Sequence, residues 1–69
     1  MKKYYMTVTS EDGDIIFKST SDSAKALIKR YEKAAFFSDG SMSSIFYNSK
    51  KDTNITEDVM MRISNGENI

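Results

Sequence analysis

Three sets of residues in this chain carry chemistry by their type and spacing. The run Glu11-Asp12-Gly13-Asp14 gathers carboxylates about a glycine, and carboxylates are the oxygen ligands that hard divalent cations take. Lys25, Lys29, Arg30 and Lys33 recur at helical spacing with Glu32 beside them, and a basic ridge of that kind holds phosphate groups. Lys2-Lys3 and Lys50-Lys51 could join it. Tyr5, Ile16, Lys18 and Tyr47 lie in strand-like segments and combine the aromatic, apolar and basic groups that anchor a protein partner or stack a nucleic acid base.

Each set also has a purely structural reading. A calcium loop of the EF-hand type needs oxygen ligands at alternate positions, Gly at the sixth and Glu at the twelfth. Nothing after Asp14 follows that pattern, so the acidic run is read as a hairpin tip. The helical lysines are what any surface helix shows to water. With Lys+Arg 10 and Asp+Glu 10 the formal net charge is zero, whereas a DNA-binding domain is expected to be clearly basic.

Catalysis has less to stand on. Histidine and cysteine are both absent, which removes imidazole-assisted nucleophiles, thiolate and imidazole zinc sites, haem, disulfides and imidazole pH switching. There is no Gly-rich phosphate loop, no G-x-S-x-G turn and no Ser-x-x-Lys, the motifs that would place a nucleophile or cradle a phosphate. A chain of 69 residues also has little room for a ligand pocket of about 300 Å³ without losing its own core. No enzymatic activity, cofactor or metal is expected.

Positioning these residues falls to a few short elements. Tyr4 to Ser10 and Asp14 to Ser19 alternate about Asp12-Gly13, a two-residue hairpin turn that asks for positive φ at both positions. Pairing Glu11 with Asp14 sets Ser10 against Ile15, Val8 against Phe17 and Met6 against Ser19. Tyr4, Met6, Val8, Ile15 and Phe17 then share the core face, and Tyr5, Thr7, Thr9, Ile16, Lys18 and Thr20 the other. Thr20-Ser21-Asp22-Ser23 offers N-caps, with Asp22 placed against the helix dipole. Ala24, Leu27, Ile28, Tyr31, Ala34 and Ala35 form one stripe that packs on the hairpin. Phe36 and Phe37 follow off the stripe, at least one tucked under the sheet edge, and Asp39-Gly40 stops the helix.

Met42 to Ser49 predicts a third strand centred on Ile45, Phe46 and Tyr47, followed by a polar connection over residues 50–54. Residues 55–64 fit two periods. As a strand, Val59, Met61 and Ile63 alternate; as a helix, Thr56 caps, Ile55, Val59 and Ile63 align, and Asn65-Gly66 terminates. The strand is preferred because it would satisfy more sheet edge.

The expected fold is therefore α+β: a single two-layer domain over residues 1–69, ββαββ with ββαβα as the alternative, its antiparallel sheet covered on one face by one central helix and residues 65–69 a frayed tail. One helix leaves the other sheet face bare. Because Tyr5, Ile16 and Lys18 belong to that face, joined by whichever of Ile45/Tyr47 or Phe46 points outward, with Tyr47 the anchor named, the expected function is protein–protein interaction, as a homodimer packed sheet to sheet or as a stoichiometric binder or inhibitor of a larger protein. The alternative is a single-stranded nucleic-acid-binding module with Tyr5 and Tyr47 as stacking platforms, Lys3, Lys18 and Lys50 as clamps and the basic helix face beside them. No apolar run approaches the roughly 18 residues of a membrane span, so no membrane partner is expected, and zero cysteine fits a cytoplasmic protein. In size and composition the chain resembles the short stand-alone proteins of phages and other mobile elements, many of which bind and block a host protein. That resemblance implies an inhibitor rather than a catalyst.

Overall fold

The structure, a computed structural model, describes residues 1–34 and 40–69. The chain runs β1 (Tyr4–Thr9), β2 (Ile15–Ser21), α1 (Ala24–Lys33), β3 (Met42–Tyr47), β4 (Lys50–Asn54) and α2 (Thr56–Ser64). The strands form one antiparallel sheet in the order β2-β1-β3-β4. The fold is α+β, and its first five elements follow the expected ββαββ order. The fourth strand, however, is built from the polar residues 50–54, and residues 56–64 form a second helix. The path is thus ββα traced twice, with β1 and β3 side by side at the centre of the sheet.

The β1–β2 hairpin turns over three residues rather than two. Ser10 carbonyl accepts from Gly13 N–H at 2.9 Å, and Ser10 N–H donates to the Asp14 carbonyl at 2.8 Å. Gly13 takes φ 91° while Asp12 does not enter the positive-φ region, the geometry of a type I turn closed by a left-handed glycine. The extra loop residue shifts the register at the tip, where Thr9 rather than Ser10 faces Ile15. A bulge between Val8 and Thr9 restores it, so that Val8 faces Phe17 and Met6 faces Ser19 as expected. Ile15 is therefore turned out of the core face and is 53% exposed.

The core joins Tyr4, Met6 and Val8 of β1, Ile45 of β3, Ala24 and Leu27 of α1, and Val59 of α2, all buried. Both helices thus pack on one face of the sheet. Ile28 and Tyr31 continue the α1 stripe at the rim of this core; the expectations for Ala35, Phe36, Phe37 and Asp39 lie outside the described residues. Ser23, not Asp22, caps α1, its hydroxyl accepting from Ala26 N–H at 3.2 Å. Asp22 instead accepts from Lys3 N–H at 3.1 Å and pairs with Lys2 at 3.5 Å.

Residues 55–64 become a helix because the preceding turn is tied to β3. Ile45 N–H donates to Thr56 Oγ1 at 2.9 Å, and Ile55 N–H donates to Ile45 carbonyl at 2.8 Å. Asn54 Oδ1 accepts from both the Thr56 N–H at 2.9 Å and its hydroxyl at 2.6 Å. At the other end Gly66, with φ 87°, donates to Ile63 and Glu67 donates to Arg62, each at 3.0 Å, a Schellman closure. The Glu67 carboxylate hydrogen-bonds the Arg62 guanidinium and, with its charge, raises the Arg62 pKa. The tail does not fray. Ile69 packs against the core, and its main-chain oxygen accepts from Ser23 Oγ at 3.0 Å and Lys25 N–H at 3.1 Å.

Candidate functional site

Because side chains alternate along a strand, burying Tyr4, Met6, Val8 and Ile45 beneath the helices sends Tyr5, Thr7, Thr9 and Phe46 to the other side. On that side Tyr5 pairs across the sheet with Phe46, Thr7 with Lys18 and Ser44, and Thr9 with Met42. The Tyr5 and Phe46 rings lie 6.1 Å apart at 38°, and the Lys51 ammonium stands 4.7 Å from the centre of the Tyr5 ring. Cross-strand aromatic pairs and exposed cation–π contacts contribute about 0.5–1 kcal/mol each. They hold Tyr5 in place on a central strand whose backbone is paired on both sides.

Of the residues expected on this face, Tyr5 and Lys18 are there, and Ile16, the residue outside the register at the bulge between the Val8–Phe17 and Thr9–Ile15 pairs, is 42% exposed. Tyr47 is not on this face. It faces the helices, stacked on Tyr4 with ring centres 5.8 Å apart and packed against the core, because the register sets Tyr4 against Tyr47 and Tyr5 against Phe46. Phe46 takes the place assigned to Tyr47. Three further residues contribute to the face: Lys51, which reaches over Tyr5, Met42 at the hairpin-tip end, and Ile15 beside it, expected on the core face but paired with Thr9. Met42 was legible in principle, since it shares the parity of Phe46 once the register is known. Lys51 was not, since residues 50–54 carry no strand signal.

Charge is distributed along the strands. Asn48, in the β3–β4 turn, donates to Lys3 carbonyl from its main chain and to Lys2 carbonyl from its side chain, both at 2.9 Å. This gathers Lys2, Lys3, Lys50 and Lys51 at one end of the sheet, tempered by Asp22 and Asp52. The opposite end carries Glu11, Asp12 and Asp14, exposed and in no ion pair among the described residues. Six-residue strands at about 3.3 Å per residue put the two ends roughly 20 Å apart. The two ends of the sheet therefore carry opposite charge.

The basic helix residues do not act as a set. Lys25, Lys29 and Lys33 are exposed, whereas Arg30 ties α1 to β2 by donating to Ser19 Oγ at 2.7 Å and to Thr20 carbonyl at 2.9 Å. An open groove of about 440 Å³ lies beside the start of β3, lined by Met42, Ser43, Ser44, Asn54, Thr56 and Glu57. Among the described residues that line it, Glu57 is the only ionisable one, and it stands beside the hydroxyls of Ser43, Ser44 and Thr56. Among the described residues no group of His, Cys, Asp or Glu is placed to hold a metal ion, and no helix is long and apolar enough to cross a membrane. Comparison with protein-family models, curated proteins and solved structures gives no match.

Proposed function

We propose that this chain is a non-enzymatic protein–protein interaction module whose contact surface is the sheet face that neither helix covers. The observation that carries this reading is the apolar set on that face: Ile15, Ile16 and Met42, 53%, 42% and 67% exposed, lie toward the hairpin-tip end, and the Tyr5–Phe46 pair lies toward the other end. Single exposed apolar side chains are ordinary, but a patch of them rimmed by charge marks an interaction site. Tyrosine and phenylalanine also make good anchors, since two χ angles leave little entropy to lose on being covered. A module of this kind works by occupancy rather than turnover, which is the mode of a stoichiometric binder or inhibitor.

Single-stranded nucleic acid is the competing occupant, favoured by Lys18 and Lys51 beside the aromatic pair. Two features weigh against it. Lys51 lies over the Tyr5 ring, on the surface where a base would stack, and the acidic hairpin tip repels a phosphate chain. The test is a photo-crosslinking amino acid placed at position 5 or 46, with position 32 on α1 as the control, in cells expressing the chain. Nuclease-resistant protein adducts from positions 5 and 46 are expected. Nuclease-sensitive adducts, or adducts from position 32 alone, refute the proposal.

A further inference from the structure

Resting on that contact-face reading, we infer that the occupant of the face is a second copy of this chain, packed about a two-fold axis that lies between the two sheets and runs across the strands. Face-to-face packing of identical sheets allows two simple two-fold arrangements. An axis along the strands sets hairpin tip over hairpin tip and brings Glu11, Asp12 and Asp14 against their own copies. An axis across the strands sets each acidic tip over the other copy's Lys2, Lys3, Lys50 and Lys51. Charge chooses the second, and the symmetry satisfies both ends at once.

The apolar groups agree with the same choice. Tyr5 and Phe46 lie toward the basic end of the face, opposite Thr20 and Asn54. Ile15 and Met42 flank Thr9 at the tip end. Turning one copy end over end lays the aromatic pair of each over the aliphatic and methionine side chains of the other, with β1 and β3 crossing their own copies at the angle of about 30° that sheet twist imposes. Lys18, opposite Thr7 at mid-strand on the edge strand β2, comes near its own copy and must turn its stem outward past the edge.

The size of the face sets the strength. Four strands at about 4.8 Å and six residues at about 3.3 Å give a plan of roughly 19 by 20 Å, or about 380 Å², less than half of the about 800 Å² that each partner gives a standard specific interface and the size of a weak, transient contact. The dimer should accordingly dissociate in the micromolar range and strengthen at low salt.

Sedimentation velocity from about 1 µM to about 1 mM protein reads this directly. Wild type is expected to shift from monomer to dimer across that range. Asp12→Lys/Asp14→Lys and Lys50→Glu/Lys51→Glu, each checked for folding by circular dichroism, should each weaken self-association about ten-fold or more, because symmetry repeats every altered contact. An equimolar mixture of the two variants should recover a dimer, since the charges of one then oppose those of the other at both ends. Wild type that stays monomeric overturns the second copy as occupant, while crosslinks from position 5 to a different protein would leave the contact face standing. A dimer indifferent to Tyr5→Ala and Phe46→Ala overturns both. Variants weakened singly but not recovered on mixing overturn the orientation.

Discussion

Replacing Ser23 with alanine removes one hydroxyl that serves two hydrogen bonds. It accepts from Ala26 N–H at 3.2 Å as the cap of α1, and it donates to the Ile69 main-chain oxygen at 3.0 Å. Loss of a serine cap costs about 1 kcal/mol, and an intramolecular hydrogen bond of the second kind contributes about 0.5–1.5 kcal/mol net. Lys25 N–H still holds the Ile69 oxygen at 3.1 Å, so the acceptor is not orphaned and the sum stays near 2 kcal/mol. That is close to half of the roughly 3–5 kcal/mol a domain of this size commands, and it lowers the melting temperature by roughly 8–16 °C. Urea unfolding followed by far-UV circular dichroism reads the change as a lower midpoint with an unaltered slope. Removing Ile69 in wild type and in the Ser23→Ala background completes a double-mutant cycle whose coupling should equal the tail bond alone, about 0.5–1.5 kcal/mol. A Ser23→Ala cost below about 0.5 kcal/mol, or strict additivity of the two changes, would refute the docking of the tail on the helix N-terminus.

Two further perturbations separate core from rim. Leu27→Ala, at a fully buried position, should cost about 2–5 kcal/mol and leave the chain largely unfolded, whereas Phe17→Ala, on the partly buried rim of the core, should cost about half the usual phenylalanine truncation of roughly 3–5 kcal/mol; chemical denaturation gives the order directly. Arg30→Ala should destabilise by about 1 kcal/mol through loss of its bonds to Ser19 and Thr20, while Lys29→Ala, one position away and exposed, should stay within about 0.5 kcal/mol in thermal melts.

Much of the fold was legible because burial imposes a period. The alternation in β1 and the stripe Ala24, Leu27, Ile28 and Tyr31 both follow from one face being covered, and the pairs Val8–Phe17 and Met6–Ser19 stand in the structure. The turn is one residue longer than its Asp-Gly pair suggests, since Asp-Gly serves both a two-residue turn and the last two positions of a three-residue one. The bulge then hid the difference everywhere except at Ile15. β4 was illegible for a different reason. All five of its residues are exposed, so no apolar face sets a period. The segment after it fits both periods because Ile55, Val59 and Ile63 are helical neighbours while Val59, Met61 and Ile63 alternate. What decides is tertiary: Asn54 and Thr56 bind the turn to Ile45, and β4 has already taken its place beside β3. On the candidate face Tyr5, Ile16 and Lys18 follow from the hairpin register, but choosing between Phe46 and Tyr47 needed the pairing of β3 with β1, which no local pattern in β3 contains.

The treatment of the sheet edges bears on what the face is for. An unguarded edge strand invites pairing with any extended chain, and charged or irregular edges prevent it. β4 presents Lys50, Lys51 and Asp52 within five exposed residues. At β2 the bulge beside Ile16 disturbs the ladder, and Arg30 occupies the Thr20 carbonyl. Both edges are thus blunted by devices that cost stability or composition, yet the face between them keeps Tyr5, Ile15, Ile16, Met42 and Phe46 where threonine or lysine would fit the same strand positions. Generic avoidance of aggregation would have acted on the face as well as on the edges. A sheet guarded against strand addition but left apolar on one side is suited to association through that side alone, in which contact is set by side chains and charge rather than by backbone pairing, and is therefore selective for the partner that matches them.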